Sequence, residues 1–190
     1  MKTLIYSSAL SILLLAACSN SDNKTQSNAT TDSTSTKEMV SGSSEKGAST
    51  AAILNSYIKL KNSLTTDNDK EAASAGKEMV TAFAGFDKKS LTAEQDKAYT
   101  DIYEDAKEHA EHIGDNVGNI IHQREHFDML SKDMYDLVKL LGTSHSLYVD
   151  HCPMYNNNKG AIWLSEVKDI KNPYLGAAMP TCGTVKEELN

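Results

Sequence analysis

Proline is almost missing from this 190-residue chain: there are three, Pro153, Pro173 and Pro180, and none before residue 153. Nothing upstream therefore interrupts a helix by a missing N–H or a clashing ring. Cysteine is also scarce, with only Cys18, Cys152 and Cys182, too few to hold a fold together by disulfides. Basic residues are outnumbered, 19 Lys and Arg against 26 Asp and Glu for a net charge of −7. With no basic patch, nucleic acid and anionic lipid are excluded as partners. No long apolar run follows the first residues, and no repeat of 20–50 residues or sustained heptad is present. No Ser-His-Asp set, phosphate loop or dinucleotide turn occurs, so no enzyme chemistry is expected.

What is present begins with an address. Lys2 precedes a mostly apolar run from Leu4 to Leu15, too short to span a bilayer, which needs about 20 residues. Residues 1–17 read as a secretory signal peptide. The ending Leu15-Ala16-Ala17-Cys18 resembles the bacterial lipobox, which implies cleavage before Cys18 and a lipid on it. Ser19, rather than aspartate, follows. The expectation is a bacterial envelope protein, anchored in the outer membrane through the Cys18 lipid and facing the periplasm. Residues 18–49 are rich in Ser, Thr, Asn, Asp and Lys, a composition unable to build a core. They are read as a tether, with an r.m.s. reach of roughly 30 Å.

Residues 50–190 are one domain's worth. Ile53, Leu54, Tyr57, Ile58 and Leu64 form one helical face behind a Ser49/Thr50 cap. Ala72, Ala75, Met79, Val80, Phe83 and Phe86 form a second, starting near Thr66-Asp67-Asn68-Asp69. Thr92-Ala93-Glu94-Gln95 has capping-box spacing. It leads a third stripe of Ala98, Tyr99, Ile102, Tyr103, Ala106, Ala110 and Ile113. The fourth runs Val117, Ile120, Ile121, Phe127, Leu130, Met134, Leu137, Val138 and Leu141, closed by Gly142. Short polar links between amphipathic helices predict an all-α fold, a four-helix bundle. An irregular C-terminal tail packs on it, with at most a helical turn or two from Ile162 to Ile170, an extended Leu147-Tyr148-Val149, and Trp163 as anchor.

That tail carries the chemistry. His151-Cys152-Pro153-Met154 and Met179-Pro180-Thr181-Cys182 each set a thiol near a thioether, the donors that select Cu(I) and Ag(I) over harder ions. If Pro153 keeps its segment extended, Cys152 and Met154 point to one side. A turn at Pro180 brings Met179 and Cys182 together. His151 is the best histidine candidate for the same site, although neighbouring strand residues face opposite ways. The same two cysteines also spell a disulfide. Lipidation of Cys18 leaves Cys152 and Cys182 as a pair, and such a bridge stabilises by roughly 3–4 kcal/mol on the chain-entropy account.

The run Cys152-Pro153-Met154, Gly160 to Ser165, Ile170 to Gly176, Met179 and Cys182-Gly183, with Gln123 to Phe127 upstream, resembles a bacterial helical domain of unknown function. A similar domain ends the periplasmic adaptor proteins of copper/silver efflux pumps. The resemblance spans roughly residues 53–189, most specific in the tail and weak over the first two helices. It implies heavy-metal binding in the envelope with Cys152, Met154, Met179 and Cys182 as ligands, and an efflux complex as partner. The chain departs from that pattern at Leu175, where an aromatic is common, and at Pro180, where an aliphatic residue is common.

Elsewhere, His109 and His112 (i, i+3) and His122 and His126 (i, i+4) pair on helix faces. His122-Gln123-Arg124-Glu125-His126 fits the inverted zinc-peptidase pattern, making a zinc hydrolase the third reading after the metal binder and the disulfide-stapled interaction domain. Both histidine pairs read more simply as solvated helix faces. Arg124 is expected to pair with an acid or reach the tail.

Overall fold

Four runs of apolar residues at helical spacing become four helices: α1 (Ser44–Thr65), α2 (Asp69–Ala84), α3 (Ala93–Asp115) and α4 (Ile120–Leu141). The computed structural model describes residues 44–190, with side chains from Thr50 onward. The signal peptide, the Cys18 lipid site and the tether as far as residue 43 lie outside the described residues.

The sequence's start and stop signals act as expected at three helices. Asn68 accepts the Glu71 N–H at the head of α2. Thr92 and Gln95 complete a reciprocal capping box at the head of α3, with bonds of 3.1 and 3.2 Å. Gly142, at φ +80°, closes α4. The start of α1 differs from expectation: the helix already runs from Ser44, so Ser49 and Thr50 sit inside it rather than capping it. Their small polar side chains gave a cap signal, but no proline lies there to stop the helix, and Gly47 is accommodated inside it.

Each helix packs on the next, and α1 meets α4 to close the bundle. Ile53, Tyr57, Leu64, Met79, Tyr99, Ile113, Phe127, Leu130 and Met134 are all fully buried, which is the core the stripes predicted. Two expected members of the fourth stripe are not in it. Val117 falls in the α3–α4 link and Ile121 turns outward, both well exposed. No described helix is long and apolar enough to cross a membrane.

After Gly142 the all-α expectation fails. The tail forms a three-stranded antiparallel sheet in the order β2-β1-β3, from β1 (Leu147–Cys152), β2 (Ala161–Ser165) and β3 (Thr184–Leu189). The segment expected to hold a helical turn from Ile162 contains β2, with Asp150 opposite Trp163 and Cys152 opposite Ala161. The expected extended Leu147-Tyr148-Val149 is the first half of β1; the rest of β1 and β2 escape sequence reading because most of their residues are buried, so the alternation that marks a half-buried strand is absent. Between them, Asn156, Asn157 and Asn158 all take positive φ, a conformation that asparagine tolerates better than most residues.

The sheet lies on α4 and α1 through β2. Tyr57 on α1 shares a hydrogen bond with Ser131 on α4 (2.8 Å) and accepts the Leu164 N–H of β2 (3.0 Å). Burial pushes the Tyr57 hydroxyl well above its ordinary range, so it stays a neutral donor and acceptor. Arg124 makes the second tie. Its guanidinium donates to Leu64 O (2.9 Å), to Pro173 O (2.8 Å) and to the Asp67 carboxylate. Arg124 thus both pairs with an acid and reaches the tail.

Candidate functional site

The site is assembled where β1 ends and β3 begins. The β1–β3 register sets His151 opposite Thr184, so the next residue, Cys152, lies beside the chain entering β3. The Cys152 and Cys182 sulfurs are 3.4 Å apart. Cys152 is fully buried, whereas Cys182 is partly exposed. The neighbouring Cys152 thiol, with some burial, raises the Cys182 thiol above its ordinary value. Two sulfurs this close do not both ionise without a cation between them. The pair suits either a bound metal that displaces the protons or a covalent bridge.

Asn172 holds this geometry. Fully buried, it donates from Nδ2 to Cys182 O (2.6 Å), and its backbone N–H bonds Pro180 O (2.8 Å). Its Oδ1 accepts the Tyr174 and Leu175 N–H groups at 2.8 and 2.9 Å. A single amide therefore caps the Pro173–Gly176 turn and pins the residue that presents Cys182. Gly183 has φ +149°, and a Cβ there would come within 2.9 Å of the Trp163 ring, so Cys182-Gly183 passes closely over the indole. Beneath lies an aromatic cluster: Tyr174 stacks on Tyr155 at 4.4 Å and meets Phe127 and Trp163 edgewise or tilted. Trp163, Tyr174, Leu147, Val149 and Leu164 are buried, and each contributes roughly 1.5–3 kcal/mol. Together they outweigh the roughly 3–4 kcal/mol of a disulfide across this loop. This packing anchors the tail on the bundle whether or not the two sulfurs are bonded.

The methionines take a different place from the one expected. The Met179 turn forms, with the Cys182 N–H bonded to Met179 O at 3.2 Å. Cys152-Pro153-Met154, however, is not extended. β1 stops at Cys152, and Met154 has helical φ and ψ (−92°, −20°) as the chain turns towards the asparagines. Proline ends the ladder by removing a donor, and the chain bends instead of running on. Met154 and Met179 are 49% and 40% exposed, so both thioethers stand at the surface on the two arms leading into the thiol pair. His151 faces away from its neighbour Cys152, its imidazole lying against Gly160 across the end of the β1–β2 hairpin.

A second cluster appears where sequence showed only two separate pairs. The α3–α4 link is short, so residues at similar distances from it meet across the antiparallel helices. His109 Nδ1 and His126 Nδ1 are 3.2 Å apart. The His112 and His126 rings stack at 4.3 Å with 8° between planes. One ring nitrogen from each of His112, His122 and His126 falls within 4.8 Å of the others. Each pair was legible by spacing. The signal that joins them is the near-equal distance of the two pairs from the Gly118 turn, a feature of the hairpin rather than of either helix. Glu125 hydrogen-bonds His122 at 3.2 Å, which makes it an orienting partner rather than the free base a zinc peptidase would need.

Fold and sites together define an antiparallel helical bundle that carries a small sheet, a thiol pair and a histidine cluster. A family described as protein of unknown function (DUF3347) matches residues 53–146. The match takes in all but the first turns of α1 and stops just before β1, so the thiol-bearing sheet lies beyond it. This reverses the weighting expected from the residues, where the tail was the more specific part and the first two helices the weaker. No curated protein matches the chain, and no solved structure does.

Proposed function

We propose that this chain binds soft monovalent metal, Cu(I) and also Ag(I), in the bacterial envelope. It is held there by a lipid on Cys18 and buffers the ion or passes it to an efflux complex. The observation that carries this reading is the 3.4 Å approach of Cys152 and Cys182, with one sulfur open to solvent. Thiolate is the donor such ions prefer. Met154 and Met179 are the thioethers nearest in sequence, and their exposure on the flanking arms suits them to capture and hand over an ion by ligand exchange. The likeness of the tail to the C-terminal domain of copper/silver efflux adaptors supports the same chemistry. His151, turned towards Gly160, joins the ligand set only by reorienting, and Cys152 and Cys182 are the residues on which the reading rests. No bond-making step is required, so the proposed role is binding rather than catalysis.

The test is competition for Cu(I). Protein lacking Cys18, kept reduced, should take Cu(I) from a chelator at one ion per chain. Met154→Leu with Met179→Leu should weaken binding by about ten-fold or more. Failure to compete ends the proposal, and unchanged affinity in the double variant removes the methionines from it. The same sulfur approach favours a second reading, a disulfide. Thiol counting on protein taken directly from the envelope separates the two: two free thiols per domain support the metal site, none supports the bridge.

A further inference from the structure

We propose that His109, His112, His122 and His126 form a second metal site, separate from the thiols, for a borderline divalent cation of the zinc class. The chain has six histidines, and four of them converge at one end of the α3–α4 hairpin. Chance placement on solvated helix faces would scatter them rather than set the rings in mutual contact.

The geometry is close to that of a bound site. Around a tetrahedral ion with bonds of about 2.0–2.1 Å, ligand nitrogens lie about 3.3 Å apart. His109 and His126 already stand at 3.2 Å. His112, His122 and His126 are within 4.8 Å of one another, and the partly exposed rings of His112 and His122 can close that gap by rotation. His126 is common to both sets, so it stands at the centre of the group.

Outside the cluster, three carboxylates address the histidines. Glu125 Oε2 meets His122 Nδ1 at 3.2 Å, Glu108 Oε1 lies 3.9 Å from His112 Nε2, and Asp133 Oδ2 lies 4.0 Å from His109 Nε2. Of these only Glu125 is within hydrogen-bond distance, and its bond to His122 Nδ1 leaves Nε2 as the ligand nitrogen, the arrangement common around metal-bound histidines. Burial, then the neighbouring imidazoles, lowers His126 to about 4, and burial also lowers His109. An all-imidazole donor set suits Zn(II), Cu(II) and Ni(II) rather than Cu(I), Mg(II) or Ca(II). The chain would then hold two ions of different softness, one at the thiol pair and one at the histidine cluster.

Titration of the full chain with Zn(II), and with Co(II) as a coloured substitute, tests this. The expected result is one saturable site whose Co(II) spectrum shows ligand-field bands without thiolate-to-cobalt charge transfer, together with a rise in Tm. His112→Ala and His122→Ala, made singly because both side chains are partly exposed and tolerate truncation, should each lower affinity by about ten-fold or more. His145→Ala, which removes surface contacts to Glu166 and Ser144 away from the cluster, should leave affinity unchanged. Cys152→Ser with Cys182→Ser, checked by circular dichroism for folding, should retain Zn(II) while losing Cu(I), so failure of the thiol reading and failure of this one are distinguishable. The inference is overturned by no Zn(II) binding below about 0.1 mM, by a Co(II) spectrum dominated by sulfur charge transfer, or by full affinity in both histidine variants.

Discussion

At the scale of single residues, Arg124 does more than any other side chain to join tail to bundle. It satisfies Leu64 O at the end of α1, Pro173 O in the tail and the Asp67 carboxylate in the α1–α2 link. Asp67 in turn accepts the Ala177 N–H at 3.1 Å. The Arg124 bond holds the Asp67 carboxyl below its ordinary value. Asp67 is itself well exposed, so the larger effect is the loss of hydrogen bonds to buried carbonyls. Arg124→Ala should destabilise by about 2–4 kcal/mol. That corresponds to a fall in Tm of roughly 5–15 °C by thermal melting. Lysine should not rescue it, because one ammonium does not reach three acceptors held in a fork. Gly176 lies against the same knot. It has φ +50°, and a Cβ there would overlap Asp67 and Arg124. Gly176→Ala should therefore cost about 1–3 kcal/mol, and a melt equal to that of wild type would show that the knot yields freely. Sequence gave Arg124 its two alternatives, an acid or the tail. That one guanidinium serves both depends on α4 running beside the α1–α2 link, which no local pattern encodes.

At the scale of elements, the helices were legible, and of the strands only the start of β1 at Leu147-Tyr148-Val149 was. Exposed and buried faces alternate along α2, α3 and α4 with the helical period, and their caps are local. β1 and β2 are short, buried on both faces and separated by left-handed asparagines, so neither periodicity nor turn composition declared the rest. The Asn172–Gly176 turn is intermediate. Its prolines and glycine signalled a turn, but only the fold shows that Asn172 also clamps Cys182. Asn172→Ala leaves buried donors and an acceptor unpaired, at about 1–3 kcal/mol each. It should also let Cys182 drift from Cys152, slowing oxidation of the pair by about ten-fold as their effective concentration falls. Following free thiols with time under a fixed disulfide buffer measures this. An unchanged rate would assign the positioning of Cys182 to Gly183 and the sheet alone.

At the scale of the whole molecule, charge is buried where bundle and sheet meet. Asp150 of β1 is fully buried, and Lys61 of α1 is nearly so. Burial raises the Asp150 carboxyl to about 7 against the partial opposition of Lys61, and burial lowers the Lys61 ammonium to about 8. Between its ordinary value of 3.8 and about 7, folded Asp150 keeps a proton that the unfolded chain has lost. Its contribution to stability is complete below 3.8 and disappears as pH rises through about 7. Lys61 acts in the opposite direction, since folding becomes easier as pH climbs from about 8 towards 10.5. Relative to Asp150→Asn, the wild type should lose roughly 2–3 kcal/mol between about pH 5 and about pH 8. Denaturant melts of both proteins at those two pH values give the difference directly, and parallel pH profiles would show that Asp150 is charged throughout.

Composition and periodicity determined the four helices, the start signals of α2 and α3, the Gly142 stop of α4 and most of the buried faces, because each of these is written within a few turns of chain. They also determined which residues carry soft and imidazole ligands. Tertiary structure alone decided that the tail is a sheet, that Cys152 and Cys182 meet, and that Met154 turns away from where an extended strand would have put it. It also decided that two separate histidine pairs become one cluster. The reason is the same in each case: these contacts join residues on different elements, and their distances are set by how the elements pack rather than by spacing along the chain.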